Sequence, residues 1–534
     1  MQNDQTVVDQ PQYIRSIVFA SGFLILVVLL YCLSILALNS GHLVFVLDDA
    51  YIHLALAENI MQGHYGINLN EYSAPSSSIL WPFLLAPFAK LVFANYFILL
   101  ANTFFAVITL LLFWLMLSPD SKDLVSEGNA ENKTLLNIIL ILLIPACNLI
   151  GLIFTGMEHS LQVMLTVAII CGLCRESTSG RLTWWTLFAI ILAPLIRYEC
   201  LAISLPAAGY LFFRAHRRQA VIAIIAMLTV VAGFSWFLMS LGQNPLPNSV
   251  QAKSQIVHDQ SGSSILVNFM SGIGTPRGVL LAVCLLFLIS QMVNLKLEKS
   301  QRLLCAAVSF SIILHLLFGQ FGWFCRYEIY IWAVAIALIG FLFKSSLYRR
   351  VSNYSVLAKA FFLFSTLCLL CFPYLMVLVD IPVAANNIYE QQYQMHRFAT
   401  EFYKKPVAAN DIGYLSYHNH EYILDLWGLA SNEALSLRFF ANRENWIEDL
   451  TKSKEIGLAM IYEEVFAEFA KIPPSWLKVG TLHLGKRNIT TSQDKVSFYA
   501  TGKESYSEIV KLLGKFILTL PEGVKFVLVD NVPQ

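Results

Sequence analysis

The sequence contains few charged residues. Asp, Glu, Lys and Arg make up 13% of its 534 residues, against about 25% in ordinary soluble domains, whereas 57% of the residues are hydrophobic. Apolar runs long enough to cross a bilayer recur along the first 380 residues. This composition predicts a polytopic membrane protein. The net charge of +1 provides no basic excess, which argues against a nucleic-acid partner.

Charge is scarce only in the first part of the sequence. Residues 381–534 contain 34 of the 71 charged side chains, although they make up less than a third of the chain. Their composition is that of an ordinary soluble domain. We therefore predict a membrane domain in residues 1–380 and a globular domain in residues 381–534. None of the ten cysteines lies in the globular domain, so this domain requires no disulfide bond.

The apolar runs predict 11–13 transmembrane helices. Clusters of Lys and Arg after several of these runs mark cytoplasmic ends, which places the loops 39–78, 242–276 and 320–326 and the globular domain on the outer side. This alternation of sides requires either that the run 79–117 crosses an odd number of times or that one run within 135–213 does not cross. The sequence leaves both options open.

The globular domain has the pattern of a mixed α/β fold. Amphipathic segments with helical spacing lie near residues 442–452 and 505–517. Short segments with strand character are Val407–Ala409, Tyr422–Leu426, Gly457–Tyr462, Val496–Tyr499 and Val524–Val529. We therefore expect a polytopic α-helical membrane domain followed by a soluble C-terminal domain of mixed α/β structure.

Two adjacent carboxylates, Asp48 and Asp49, follow an apolar run in the first outward loop. On a helix that begins there, Asp49 and His53 share a face because they are four residues apart. A partly desolvated carboxylate has a raised pKa and suits the role of a general base. We include Tyr51 and His53, on the same segment, among the site candidates. The alternative is that Asp48 only caps a short surface helix.

Further ionisable residues lie inside or at the rim of apolar runs. They are Glu158, Arg197, Arg326 and Glu328. An unpaired charge at the centre of a bilayer costs about 2.5–3.5 kcal/mol on insertion scales, so such residues are candidates for a functional site. The alternative is that Arg197 with Glu199, and Arg326 with Glu328, are interfacial residues or ion-pair partners of one another.

The outward loop that begins at Gly242 contains two prolines, Asn248 and Lys253. The prolines favour an extended turn, and Lys253 provides a cation close to the membrane surface. A lysine can bind phosphate as a point charge. The pattern is equally typical of a loop lysine that is merely solvated.

Taken together, these segments resemble the GT-C superfamily of membrane glycosyltransferases, and most of all the branch of mycobacterial terminal arabinofuranosyltransferases and related bacterial enzymes. The segments that carry the resemblance are, in order, Asp48-Asp49-Ala-Tyr-Ile, Ser76-Ser-Ser-Ile-Leu-Trp81, Gly156-Met-Glu158, Leu246-Pro-Asn248 with Ala252-Lys253, Asn410-Asp411-Ile-Gly413 and Leu424-Asp425-Leu-Trp-Gly428. Two departures stand out. The second segment lacks a proline at the usual place, with Pro75 earlier instead, and Arg197-Tyr-Glu199 stands where Arg-Pro-Glu or Arg-Pro-Asp is expected.

The resemblance implies an inverting transfer of a sugar, arabinofuranosyl-type transfer included, from a polyprenyl monophosphate donor. The acceptor would be a hydroxyl of a glycan, lipid-glycan or protein at the outer face of a bacterial cytoplasmic membrane, with the donor's lipid among the helices. Asp49 or Asp48 would take the acceptor proton, and Lys253, Arg326 and Arg197 would bind the donor phosphate. The sequence shows no compelling metal cluster, so we expect no obligatory metal, although adjacent carboxylates are able to hold one.

Three other functions are weighed against this one. The first is a GT-C relative that moves a hexose or aminosugar onto lipopolysaccharide, a capsule or a pilin. The second is a transporter or flippase of lipid-linked sugars, but transporters often contain internal repeats and this sequence shows none. The third is a membrane scaffold with a binding domain, which leaves Asp48 and Asp49 unexplained. We favour the transferase and expect its C-terminal domain to recognise the acceptor or to pack over the site.

Overall fold

The computed structural model describes residues 11–119, 129–253, 263–352, 354–440 and 445–529. Within these residues, seven helices are long and apolar enough to cross a membrane, or eight if a pair bent by 93° at residues 274–275 counts as one span. Three further apolar helices have 10–17 residues. The prediction of a multi-pass membrane protein is confirmed, and the predicted range of 11–13 crossings is reached only if the short helices cross as well.

Helices account for nearly all of the membrane domain. In chain order they are Pro11–Leu38, Asp49–Ile60, Trp81–Leu85, Ala94–Leu117, Asn129–Ala146, Leu149–Phe154, His159–Ser179, Trp184–Ile196, Leu201–Phe213, Arg217–Ser240, Asn248–Lys253, Ser263–Ile273, Pro276–Met292, Lys299–Phe318, Ile329–Ser352, Val356–Thr366 and Phe372–Glu390. A single 3₁₀ turn, Tyr198–Cys200, precedes Leu201–Phe213, and a π-helical turn, Leu367–Cys371, precedes Phe372–Glu390.

The helix His159–Ser179 forms the centre of the bundle. Of its most apolar stretch 78% is buried, against 17% for the first helix, Pro11–Leu38, whose exposed Leu and Val side chains face the lipid. The central helix packs closely against Trp184–Ile196, and a Cβ added at Gly172 would overlap the side chain of Thr186. Small residues allow such close approaches between membrane helices.

The run 79–117 supplies one long helix, Ala94–Leu117, preceded by the five-residue helix Trp81–Leu85. It therefore supplies one candidate crossing, an odd number, which agrees with the first of the two options that the sequence leaves open. The loops around residues 39–78, 155–158, 197–199 and 319–328 lie at one end of the bundle. Side chains from all of them do meet there, as described below.

The C-terminal domain (residues 404–529) contains a six-stranded mixed sheet. Its strands are β1 Val407–Ala409, β2 Ile423–Asp425, β3 Leu458–Ile461, β4 Leu477–His483, β5 Lys495–Ala500 and β6 Lys525–Leu528, in the order β2-β1-β3-β5-β4-β6. β1 pairs in parallel with β2 and β3, and the remaining pairs are antiparallel. The predicted mixed α/β fold is thereby confirmed.

Helices cover both faces of this sheet. Side chains alternate along β1, so that Val407 and Ala409 face the helix Lys503–Phe516, whereas Ala408 faces the helix Trp446–Ser453. The other helices and turns of this part are Gln392–Arg397, Phe398–Tyr403, Gly413–Ser416, Asn432–Phe440, Glu463–Ala467 and Ile517–Thr519. The sheet thus has one apolar core on each face. The core that contains Val407 and Ala409 continues into the membrane domain.

The structure departs from the sequence prediction at two points. The predicted domain boundary at Asp380 falls inside the helix Phe372–Glu390, since helical structure continues with one break at Gln391 to Tyr403. β4 was not predicted, because a bulge between Lys478 and Gly480 breaks the alternation of apolar and polar side chains by which strands are recognised.

The contact of Gly172 with Thr186 generates a prediction for stability. We expect Gly172→Ala to lower the melting temperature of the detergent-solubilised protein, because the added methyl group forces two helices apart. The matched control is Gly209→Ala, in the helix Leu201–Phe213, where an added Cβ meets nothing within 4 Å. Alanine is a better helix former than glycine by about 1 kcal/mol, so the control is expected to be neutral or stabilising. Equal melting temperatures for the two variants would contradict this account of the packing.

Candidate active site

A cavity of about 180 Å³ opens at one end of the helical bundle, on the side of the C-terminal domain. Its lining comes from widely separated parts of the chain: the start of the helix Asp49–Ile60, residues 75–77, residues 197–199, residues 249–250 and residues 318–327. Met157 completes it. The cavity is therefore built at the point where several interhelical loops converge.

Asp49 and Arg326 form an ion pair at this cavity. The helix begins at Asp49, so that Asp49 and His53 both reach the cavity from one face, as their spacing predicts. The Oδ2 atom of Asp49 lies 2.6 Å from a terminal nitrogen of Arg326. The Asp49 side chain is 20% exposed and that of Arg326 is 1% exposed, so the carboxylate faces the cavity while the guanidinium forms part of its wall.

Arg326 keeps unused hydrogen-bonding capacity. Its Nη2 atom bonds Asp49 and the Tyr327 hydroxyl, and its Nη1 atom contacts the sulfur of Met157. Among the residues that the structure describes, none accepts a hydrogen bond from Nε. Burial by itself lowers the pKa of Arg326, but Tyr327 and Asp49 outweigh this effect and raise the pKa. The guanidinium therefore stays charged, with a buried donor in excess.

An unusual turn brings Arg326 to this position. Trp323, Phe324 and Cys325 have φ values of 47°, 63° and 56°, a left-handed conformation that costs non-glycine residues about 1–2 kcal/mol each. The turn is stabilised by Glu328, which is fully buried and accepts a hydrogen bond from the backbone N–H of Gly322 at 2.9 Å. Such strain persists only where the surroundings enforce it.

Glu328 has its own cationic partner, which the sequence did not reveal. Arg277 Nε lies 3.1 Å from Glu328 Oε1, and Glu328 does not line the cavity. It therefore supports the loop that carries Arg326 without reaching the cavity. The alternative considered above, a pair between Arg326 and Glu328, is wrong because each has a different partner.

Arg197 is surrounded by carboxylates. It forms a two-pronged pair with Glu199 at 2.7 and 3.1 Å, and bonds Glu158 at 2.8 Å and the Ser77 hydroxyl at 3.1 Å. These bonds use four of the five N–H donors that an arginine has. Burial lowers the pKa of Arg197, but Glu199 and Glu158 more than compensate and raise it. Arg197 is thus charged, although little of its capacity is left for a ligand.

His53 connects the helix Asp49–Ile60 to Arg197 and its carboxylate partners. Its Nε2 atom lies 3.5 Å from the second oxygen of Glu158, and its Nδ1 atom is 3.1 Å from the Ser76 hydroxyl. Glu158 is fully buried and thus bridges His53 and Arg197 from behind the cavity. Gly156, with φ +69°, packs against the ring of Phe45 and turns the chain so that Glu158 points inward.

Asp48, the neighbour of Asp49, faces away from the cavity. Its two carboxylate oxygens accept hydrogen bonds from the backbone N–H groups of Gly413 and Tyr414, each at 2.7 Å. Burial, together with nearby Asp411, raises the pKa of Asp48. The sequence left Asp48 and Asp49 interchangeable as the base. The structure separates them, because successive residues at the start of a helix point in different directions.

Two more predicted site residues, Tyr51 and Asn248, lie outside the cavity lining. The Tyr51 hydroxyl accepts a hydrogen bond from the backbone N–H of Phe45 at 3.0 Å, and the Tyr51 ring packs at a tilt against Tyr414 of the C-terminal domain. Asn248 donates to Asn432 at 2.8 Å, also in that domain. Lys253 ends the helix Asn248–Lys253, but its side chain lies outside the described part of the chain.

Several residues at the cavity were missed by the sequence analysis. Ser77, Tyr198 and Tyr327 line it, and Tyr327 stands beside both arginines, with its ring centroid 4.9 Å from Arg326 and 5.8 Å from Arg197. Residues with hydroxyl groups are frequent at membrane surfaces, so the residue type alone does not distinguish a cavity residue from an ordinary surface residue. For Tyr327 a signal did exist, since it directly follows a buried arginine.

The described residues contain no group of three or more His, Cys, Asp or Glu side chains placed to hold a metal ion. Asp425, in the C-terminal domain, instead accepts hydrogen bonds from the backbone N–H groups of Trp427 and Ala430 at 2.9 and 2.7 Å. Burial raises the pKa of Asp425 to about 6. This carboxylate therefore holds the loop after β2.

Comparison with known proteins gives few matches. A family model described as a domain of unknown function (DUF8728) matches residues 386–499, and no curated protein sequence matches significantly. The chain is similar to a crystal structure of ArnT from Cupriavidus metallidurans, with 11% identity over 91% of this chain and 99% of that chain and a TM-score of 0.48. It is also similar to a crystal structure of an Archaeoglobus fulgidus oligosaccharyltransferase, with 12% identity over 94% and 75% and a TM-score of 0.40. Similarity at these levels assigns neither an activity nor a substrate.

The Arg197 cluster generates a prediction that a double-mutant cycle tests. Arg197→Gln alone leaves Glu158 and Glu199 without their cation, which we expect to cost about 3–5 kcal/mol of stability. The double variant Arg197→Gln with Glu158→Gln removes one positive and one negative charge. Its loss of unfolding free energy should therefore be smaller than the sum of the losses in the two single variants. The measurement is the apparent free energy of unfolding by denaturant.

An exposed ion pair serves as the control for this cycle. Lys405 and Glu508 are each about half exposed, so a cycle on them should give a coupling of at most about 1 kcal/mol. A coupling at Arg197 and Glu158 that is no larger would show that the cluster does not stabilise the bundle.

Proposed function

We propose that the protein is a membrane glycosyltransferase of the GT-C type, which transfers a sugar from a polyprenyl monophosphate donor to an acceptor hydroxyl. One observation carries the proposal: Asp49 lies at the cavity, bonded to Arg326, whose Nε donor has no partner among the described residues. A carboxylate beside a buried cation is the arrangement that proton removal and the departure of a phosphate both require.

Asp49 acts as the general base in this proposal. The acceptor oxygen attacks the anomeric carbon while its proton passes to a carboxylate oxygen of Asp49. The bond between that carbon and the phosphate oxygen breaks, and its electron pair leaves with the polyprenyl phosphate. Because attack and departure occur on opposite faces of the sugar, the anomeric configuration is inverted.

Arg326 is the preferred partner for the leaving phosphate. Its Nε donor is unused, so it can donate a hydrogen bond to a phosphate oxygen, and the guanidinium would neutralise the negative charge that develops on the leaving phosphate. Arg197 is a weaker choice than the sequence implied, because Glu199, Glu158 and Ser77 already occupy most of its donors. We assign Arg197 to holding Glu199 at the cavity wall. Lys253 remains a candidate for the phosphate by its position in the sequence.

The position of the cavity fits a donor that resides in the membrane. It opens at the end of the bundle, and Phe318 and Val250 contribute apolar surface to it, which suits the first isoprenoid units of the donor. The proposed site is the outer face of a bacterial cytoplasmic membrane. Arabinofuranosyl-type transfer is one member of the proposed class, and hexose or aminosugar transfer to a glycan, lipid-glycan or protein acceptor is another.

The role of Asp49 is tested by the release of polyprenyl phosphate from a panel of polyprenyl-phosphate sugars, with the purified protein in lipid nanodiscs and with glycan, lipid-glycan and peptide acceptors supplied. We expect Asp49→Asn to lower the rate by about 10²–10⁴-fold, because the amide cannot accept the proton. Glu508→Gln, the same change at an exposed carboxylate of the C-terminal domain, should leave the rate unaltered. The assay contains EDTA, because the proposed mechanism does not use a metal ion.

Three outcomes would redirect the proposal. Undiminished release by Asp49→Asn would exclude Asp49 as the base. Release that stops in EDTA and returns with a divalent cation would demand a metal in the mechanism. Donor that moves across the bilayer without cleavage would favour the alternative, a transporter or flippase of lipid-linked sugars.

The preference for Arg326 over Arg197 gives a further prediction. Arg326→Gln removes the donor proposed to meet the leaving phosphate, so we expect kcat to fall by about 10²–10³-fold. Arg197→Gln should act mainly on stability and on the KM for the donor. The measurement is steady-state release of polyprenyl phosphate at several donor concentrations. A fall of kcat in Arg197→Gln that exceeds the fall in Arg326→Gln would reverse the assignment.

A further inference from the structure

The C-terminal domain grips the helix Asp49–Ile60 at its first turn. Asp48 precedes this helix, and both of its carboxylate oxygens bond backbone N–H groups of the C-terminal domain, those of Gly413 and Tyr414. A Cβ added at Gly413 would overlap the backbone oxygen and the carboxylate of Asp48, so only glycine fits there. We call these contacts between Asp48, Gly413 and Tyr414 the clamp.

Further contacts of the same short segment extend along the helix. The rings of Tyr51 and Tyr414 are in contact, with centroids 4.0 Å apart and planes tilted by 38°. At the far end, Glu58 accepts a hydrogen bond from the backbone N–H of His418 at 3.1 Å. Residues 413–418 of the C-terminal domain therefore contact one face of this helix near both of its ends.

The rest of the first loop is fastened to the sheet of the C-terminal domain. The side chain of Asn68 both donates to and accepts from the backbone of Ile423, at 2.9 Å in each direction, and thereby continues the edge of strand β2. Glu71 accepts a hydrogen bond from the Tyr422 hydroxyl at 2.8 Å. The loop that carries the proposed base thus has the C-terminal domain as its support on one side.

Asp49 is adjacent to the clamp along the chain and is the first residue of the helix. Any shift of the clamp therefore moves its carboxylate relative to Arg326, 2.6 Å away. A displacement of about 1 Å at a reacting group is enough to cost about 10²-fold in rate. We propose that the C-terminal domain positions the proposed base, with Asp48, Gly413 and Tyr414 as positioning residues. This inference rests on the proposed function.

A separate anchor allows the clamp to be tested by itself. The loop after β4 grips the helix Phe372–Glu390: Glu390 accepts a hydrogen bond from the backbone N–H of Gly485 at 2.7 Å, and Asn387 accepts one from Ile489 at 2.8 Å. These contacts lie on the covalent connection between the domains. Loss of the clamp therefore leaves the C-terminal domain attached.

The experiment uses the full-length protein in nanodiscs with Gly413→Ala, whose methyl group pushes the clamp apart. The matched control is Gly514→Ala in the helix Lys503–Phe516 of the same domain, where an added Cβ meets nothing within 4 Å. Amide hydrogen exchange reports on the helix Asp49–Ile60 without reference to activity. We expect faster exchange there in Gly413→Ala, with exchange in Lys503–Phe516 unchanged, and wild-type behaviour in the control.

Turnover then shows whether the clamp acts through Asp49. We expect Gly413→Ala to lower kcat by about 10²-fold while the KM for the donor stays within about twofold, because Arg326, the proposed phosphate ligand, is carried by a different loop from the displaced helix. In an Asp49→Asn background the same substitution should have no further effect on the residual rate. A merely structural contact would lower both rates by the same factor.

Asp48→Asn is a second variant that weakens the clamp, and it keeps the test valid if Gly413→Ala fails to fold. It keeps the size of the side chain but replaces one acceptor oxygen with a donor, so it should produce the same changes in exchange and kcat. Unaltered exchange in both variants would overturn the clamp, and faster exchange with unaltered kcat would overturn its positioning role. If the wild-type protein cleaves none of the donors with any of the supplied acceptors present, the proposed transferase fails, while exchange still decides whether the clamp holds the helix.

Discussion

The pairing of buried charge is the constraint on which the rest of the cavity depends. Arg197 lies between Glu158 and Glu199, and Arg326 bonds Asp49, so each cation in the wall is neutralised by a carboxylate from another part of the chain. An uncompensated charge in such surroundings costs several kcal/mol. The segments that carry these residues are consequently fixed relative to one another by ion pairs between their side chains.

Two neighbouring residues of the same chemical type serve opposite purposes in this arrangement. Asp48 gives both carboxylate oxygens to backbone N–H groups of the C-terminal domain, while Asp49 faces the cavity and Arg326. The first contact is saturated and buried, and the second leaves the carboxylate partly exposed. A structural role and a proposed chemical role are thus separated by a single step along the backbone.

Sequence alone predicted what depends on local pattern. Apolar runs indicated the membrane helices, and alternating side chains indicated five of the six strands, but not β4 with its bulge. Of the predicted site residues, four line the cavity: Asp49, His53, Arg197 and Arg326. Their partners were not predictable, because a pair such as Asp49 and Arg326 joins residues 277 positions apart, and no periodicity encodes which loops meet. Arg277 was overlooked for the same reason.

The two hydrogen bonds between Asn68 and Ile423 have a consequence for the C-terminal domain taken by itself. A strand at the border of a sheet offers unpaired N–H and C=O groups to any other chain, and β2 lies at such a border. Here the side chain of Asn68, from the membrane domain, occupies both groups of Ile423. An isolated C-terminal domain would therefore expose these two groups of Ile423, and its border strand would be open there to pairing with another chain.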